Sequence, residues 1–509
     1  MKTKKGLVLA VITMLGGQLW AQSFTETALL FSRTQPGGSA RIQALGGAQV
    51  SLGGDFSSAA TNPAGLGMYN KSEFSFSPGQ FYTSVEGDYF RGNTPISENN
   101  NDTRAGINIS GLGLAISSDD GARGSFVRGT FAVTFTRTNH FNRSMRYEGF
   151  NSATSLIDYF LEEATGRTPS QFDENGYSFN TVTELAYNNY LIGESTVLDP
   201  NNDPTEYFTD VLGEPYQAET VQTRGAQNQW SFSYGANFDD RFFAGAGLGI
   251  TSLRYKSEKS YREEFEGEPL SDFSLDEELS IRGSGVNLTV GGIARPVDFI
   301  QVGISASTPT FYNLTDNFFA RLESNWNNYD YYGDGSEILA NESSSTDMVT
   351  SEYNLTTPWR LNVGATFFLK KHGFITADIE QVNYSQARYS SEITGISYNG
   401  DNDRIKSLYK PVTNIRLGAE FRLKEWRLRG GYQMLADPFI NKQNDISRAV
   451  RTISGGLGYR TTDFFIDFAV VQALGKNSYR PYSVNNNQSP LFSFEQRTTN
   501  VMATFGFIF

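Results

Sequence analysis

The charged residues with the most regular spacing are Arg360, Asp378, Glu380, Arg416, Glu420, Arg422, Arg427, Arg429 and Asp467. Within a segment they stand two or four apart, so each group falls on one face of an extended chain. Such a face can neutralise itself as an ion-pair lattice, or it can offer one or two arginines to a ligand carboxylate. The signs nearly balance, and paired charges are already satisfied, so the lattice is the expectation. Replacing Arg416 or Arg427 should then cost stability more than function. Arg360 and Arg429 belong to the same set. Other chemistry finds little to work with. The only histidines are His140 and His372, and cysteine is absent. Thiol catalysis and disulfides are therefore excluded, and no Ser/His/Asp constellation or zinc signature surrounds either histidine. Asp173-Glu174-Asn175-Gly176-Tyr177 with Glu184 partly mimics a calcium loop. Its sixth place is Ser178, where such a loop needs glycine for its sharp turn. The expectation is no enzyme, no metal and no cofactor.

The elements that must carry these charges alternate strictly. Trp230, Phe232, Tyr234 and Ala236 interleave with Ser231, Ser233 and Gly235; Trp359, Leu361, Val363, Ala365 and Phe367 interleave with Arg360, Asn362, Gly364 and Thr366. Ile415–Leu423 and Trp426–Tyr432 repeat the pattern, with Arg416, Glu420, Arg422, Arg427 and Arg429 among the interleaved residues. Charges so placed are costly against lipid and ordinary in a wet lumen, so the apolar face points outward. With 39 Phe, 26 Tyr, 50 Gly and a mean hydropathy of −0.39, the composition is that of apolar-out, polar-in strands.

Lys2, Lys4 and Lys5 precede the apolar run Gly6–Leu15, and Leu19-Trp20-Ala21 offers a cleavage site. Residues 1–21 read as a secretory signal peptide, too short to span a membrane. Losing its three lysines takes the formal charge from −13 to −16, and no basic patch invites nucleic acid. Short turns at 119–124, 239–241, 296–298, 370–373, 424–425 and 461–463 alternate with long polar connections near 92–104, 140–226, 267–279, 320–350, 391–411, 436–447 and 475–491. The spacing predicts an all-β chain: a transmembrane antiparallel barrel of about 14 strands over 71–509, with a long extracellular insertion at 140–226. Both termini are expected on the periplasmic side, so that residues 22–70 enter the lumen from below.

Three stretches resemble a known family. Residues 46–67 are glycine-rich and turn-rich and run through Asn62-Pro63-Ala64; Thr357-Pro358-Trp359-Arg360 opens a strand; and the chain closes on aromatics at every second residue, ending in Phe509. In this order the elements are similar to the FadL-like outer-membrane channels, which pass long-chain fatty acids, aromatic hydrocarbons and other hydrophobic compounds. The resemblance implies an N-terminal hatch (22–70) inside the lumen, with Asn62, Pro63 and Ala64 as its motif. It implies passive uptake of a hydrophobic small molecule, with outer-membrane lipids and the barrel-assembly machinery as the other partners. Helices over Ser155–Ala164 and Thr181–Ile192 would line an outer ligand groove with Leu156, Phe160, Leu185 and Tyr190, unless that loop merely packs on itself. Gly124 and Gly129 in the third strand would mark the kink that opens the wall sideways, unless they are ordinary barrel glycines. The alternative function is a non-transporting surface interaction protein, a shuttle or anchor for secretion machinery.

Overall fold

The computed structural model describes residues 23–118, 124–169, 180–195, 205–442, 445–486 and 488–509. The signal segment and the calcium-like stretch 173–178 lie outside them.

Fourteen strands close a ring: β1 Glu73–Arg91, β2 Thr94–Ser118, β3 Phe126–His140, β4 Tyr216–Phe238, β5 Phe242–Glu264, β6 Leu270–Val297, β7 Ile300–Ser307, β8 Arg360–Phe368, β9 Gly373–Asn383, β10 Pro411–Leu423, β11 Trp426–Leu435, β12 Val450–Arg460, β13 Phe464–Tyr479 and β14 Pro490–Ile508. Each pairs antiparallel with the next, and β14 pairs back onto β1. Burial follows the pleat. Trp230, Phe232 and Tyr234 are 42%, 40% and 48% exposed, while Ser231 and Ser233 between them are 1% exposed. A soluble sheet does the reverse, so the greasy face meets lipid. The sharp turns at Asp239-Asp240, Lys370 and Lys424 hold non-glycine residues at positive φ. Such residues let these tight hairpins match the right-handed twist of the flanking strands.

Closure is completed by the last residue. Phe509 N donates to Ser72 O and Ser72 N to Phe509 O, each at 3.0 Å, while Ile508 N reaches Asp463 O at 2.8 Å. Deleting Phe509 removes both hydrogen bonds and one outward aromatic, and should sharply reduce assembled barrel. Normal heat-modifiable migration at normal outer-membrane yield would contradict this.

Several stretches expected as long loops are strand. Residues 94–104 belong to β2, which meets β1 across the two-residue turn Gly92-Asn93. Residues 270–279 belong to β6, and 320–350 is largely the strands Phe311–Asp330 and Ile338–Ser345. The insertion gives way to β4 at Tyr216 rather than at 226. Above the membrane both faces of a strand meet water or a local core, so the apolar alternation disappears although the ladder continues. These extensions, with the strands Arg143–Phe150 and Val349–Thr356, build an extracellular layer over the barrel.

The first described residues do not lie at the periplasmic end, where the sequence put them. Helix α1 Phe24–Ser32 lies among residues of the extracellular layer, and the chain then descends through the ring to Tyr69 before β1 begins. The C-terminus lies at the short-turn end.

Candidate functional site

Residues 23–69 touch the inward faces of strands around the ring. α1 is capped by Ser23, and its Phe24 ring sits against Tyr353, Tyr389 and Tyr398 at centroid distances of 5.3, 5.1 and 5.0 Å. Tyr409 Oη donates to Thr25 O at 2.9 Å. Within the enclosing wall Glu26 keeps room for water. Desolvation nevertheless lifts its carboxyl above the usual range, against the pull of Lys259, Arg448 and Arg143. Below, Arg33 donates to the carbonyls of Arg448, Leu435 and Ala436, and Gln35 N donates to Thr138 O at 2.9 Å.

The next turn packs on bare wall. Helix α2 Ala40–Ala44 leads into Gly46, whose φ is 66° and whose missing side chain would meet the Tyr432 backbone at 2.8 Å. No L-residue fits that conformation and that approach together. Asp378 then accepts from the backbone N–H of Gln49 and Val50 at 2.6 and 2.9 Å. In the Asn62-Pro63-Ala64 motif, Asn62 Nδ2 donates to Val50 O at 2.6 Å, and its Oδ1 accepts from Ala64 N at 3.2 Å. Pro63 begins the 3₁₀ helix Pro63–Met68, where its fixed φ suits the first position. The asparagine side chain thus ties two passes of the segment together.

The charged face is a lattice in two parts. Arg416 and Arg360 reach Glu380 at 3.0 and 3.4 Å. Arg429 joins Glu420 at 2.7 Å to Asp467 at 2.5 Å, and Arg422 reaches Glu420 at 2.7 Å. Arg427, counted with them in the sequence, stands apart. It donates to the carbonyls of Lys424 and Trp426 beside a short turn and reaches no carboxylate among the described residues.

Between the segment and the wall lies a cavity of about 110 Å³, room for several waters. Phe31, Pro36 and Pro358 give it an apolar side; Thr136, Gln227, Asn362 and Arg416 give it a polar one. Sequence reasoning missed Gln227, Thr136 and Thr138. Their parity marked them as inward-facing, but nothing local distinguishes a cavity-lining amide from any other lumen residue.

At this cavity the wall changes. β2 pairs with β1 along nearly its full length, yet with β3 only through Gly111–Ser118 against Gly129–Thr136. Above Thr136, β3 stays on β4 with Thr138 as an extra residue, Arg137 facing Asn228 and Asn139 facing Gln227. Beyond the interruption, side chains replace the ladder: Ser144 to Asp102, and Ser97 Oγ to Glu148 O at 2.5 Å. Ile107 and Ile109 of β2 point outward beside the gap, 87% and 44% exposed.

Other expected site residues fall differently. Leu156 and Phe160 on helix Leu156–Ala164 and Leu185 on helix Val182–Asn188 are at most 2% exposed. They share one core with Phe31, Leu322 and Leu339, and Tyr190 packs at its edge. They therefore present no open groove here; amphipathic helices have buried their stripes against the strand extensions. Glu184 accepts from Thr181 N at 3.1 Å in a capping box, the role its spacing serves. Burial raises its carboxyl somewhat. Gly124 lies in the turn before β3 at φ 64°, not in the strand. Gly129 is in β3, but no bulge falls there; it seats the Tyr234 ring, and the extra residues are Val127 and Thr138. His140 is stacked on Phe81 with its Nδ1 unpartnered, and His372 is in an exposed turn.

A closed fourteen-stranded barrel with an outward apolar belt defines an outer-membrane protein. No protein-family model matches the chain, and no curated protein matches it in sequence. Solved structures do match. A FadL homologue of Pseudomonas aeruginosa is similar with a TM-score of 0.55 at 12% identity, over 93% of this chain and 99% of that one. The Pseudomonas putida toluene transporter TodX is similar with a TM-score of 0.50 at 12% identity, over 94% of this chain and 100% of that one. The fold is that of the FadL-like channels.

Proposed function

We propose that this barrel is a channel for passive uptake of hydrophobic small molecules, long-chain fatty acids or aromatic hydrocarbons, with residues 22–70 as its gate. The observation that carries the reading is the interrupted β2–β3 ladder directly beside the interior cavity, both meeting at Thr136 and Thr138. An apolar solute gains by leaving a wet lumen sideways into hydrocarbon. The lipid-facing Ile107 and Ile109 flank such an exit. The toluene transporter among the similar folds favours the same reading. Outer-membrane lipid would then receive the solute, and the terminal strand would be the contact for the barrel-assembly machinery.

A second reading, a surface interaction or secretion-anchor protein, is favoured by the extracellular layer, whose large buried core covers the mouth. One experiment separates them. Deleting Thr138 removes the extra residue and lets β3 continue in register. Uptake of labelled oleate and toluene by cells should then fall to the level of cells lacking the protein, at unchanged yield of folded barrel. Undiminished uptake would reject the lateral route. Equal uptake with native, deleted and no protein would leave the interaction role standing.

A further inference from the structure

Resting on that channel reading, we propose that the interior cavity binds a neutral hydrogen-bonding group, a hydroxyl or carbonyl borne on an otherwise apolar molecule, in preference to a bare hydrocarbon or a carboxylate. The wall carries the argument. Ser32, Thr136, Gln227, Asn362 and Arg416 all line this space, and each carries one buried side-chain atom (Oγ, Oγ1, Oε1, Oδ1 and Nε in turn) with no hydrogen-bond partner among the described residues. Each belongs to a residue no more than 5% exposed. For Gln227 the free atom is fixed as the acceptor, because its Nε2 donates to Phe31 O at 3.3 Å and to Tyr312 Oη at 2.6 Å.

Buried polar atoms without partners are costly, so the space holds either water or a ligand that replaces water's hydrogen bonds. A hydrocarbon strips the water and returns nothing. That is why polar sites reject analogues lacking a hydroxyl far more strongly than apolar sites reject analogues that add one. A carboxylate meets a different obstacle. Both guanidinium groups at the cavity, Arg360 and Arg416, are engaged with Glu380, and an incoming anion would sit beside that charge. A hydroxyl both donates and accepts, so it suits a wall built largely of neutral Ser, Thr, Asn and Gln side chains, which can do either. Phe31, Pro36 and Pro358 remain for the ligand's apolar body.

The test uses three molecules sharing one methylated ring: toluene, p-cresol and p-toluate, each radiolabelled. Binding is measured at equilibrium to the full mature protein in nanodiscs, with binding to empty nanodiscs subtracted. p-Cresol should bind about tenfold more tightly than either relative, the worth of one well-made hydrogen bond. Thr136→Val and Asn362→Leu should each bring p-cresol towards toluene and leave toluene unchanged. If Asn362→Leu fails to fold, the near-isosteric Thr136→Val decides. Toluene binding as tightly as p-cresol, p-toluate binding best, or an unchanged preference in folded Thr136→Val would overturn the proposal. The channel reading fails separately: it falls if cells with and without the protein take up oleate and toluene equally, whatever the order of binding.

Discussion

Removal of residues 22–45 is expected to turn a silent barrel into an open pore. The deletion takes away α1 and α2, and with them the Arg33 hydrogen bonds to three carbonyls and the Ala40 N–H bond to Thr504 at 2.7 Å. It leaves Gly46 onward, including the Asp378 contacts, the Asn62 tie and the closing pair Ser72–Phe509. The ring of ladders lies outside the deletion, so assembly should survive. A barrel of this strand number cleared of half its filling admits a water column. Conductance in planar bilayers should rise on the order of tenfold or more. Cells should become sensitive to a large antibiotic such as vancomycin. Unchanged conductance in deletion barrels of normal heat-modifiable migration would show that the segment does not occlude the lumen.

Arg429→Ala should be the most destabilising single change in the charged lattice. Its guanidinium bridges Glu420 and Asp467, and all three side chains are at most 5% exposed. Truncation leaves two carboxylates short of their shared cation, a loss on the scale of about 3–5 kcal/mol. Arg427→Ala, two residues away, should lie within about 0.5 kcal/mol of the native protein, because Arg427 touches only turn carbonyls. The comparison is the unfolding temperature of both variants in one detergent. Adding Asp467→Asn to Arg429→Ala should recover part of the loss, since Asp467 then carries no uncompensated charge while Glu420 keeps Arg422. Equal stability of the two arginine variants would deny the lattice its structural role. So would native stability of Arg429→Ala accompanied by collapsed uptake.

The different fates of Arg427 and Arg429 show where sequence reasoning stops. Both have lumen parity in one strand, and parity is all that an extended chain reports. Height along the barrel axis separates them. Arg427 pairs opposite Gly458, one step from the turn, whereas Arg429 faces Glu420 across one ladder and lies beside Asp467 through the next. The helices of the insertion were legible from their stripes and capping residues. What those stripes pack against was not, because their partners Leu322 and Leu339 sit in strands too polar to be read as strands.

What the sequence determined by itself is the material: alternating apolar-out, polar-in strands, their even number, the aromatic closing strand and the turn-rich segment with Asn62-Pro63-Ala64. Each of these is set by local periodicity or by residue chemistry within a few positions, which a single chain carries explicitly. The tertiary structure alone decided the rest. It placed the N-terminal helix in the extracellular layer rather than at the periplasmic end, and buried the expected groove. It put the wall's interruption at Thr138 rather than at Gly124 or Gly129. It also gathered Thr136, Gln227 and Asn362 around one cavity. These outcomes depend on register between strands far apart in sequence and on which faces meet once the ring closes. A bulge of one residue shifts both without leaving a composition signal.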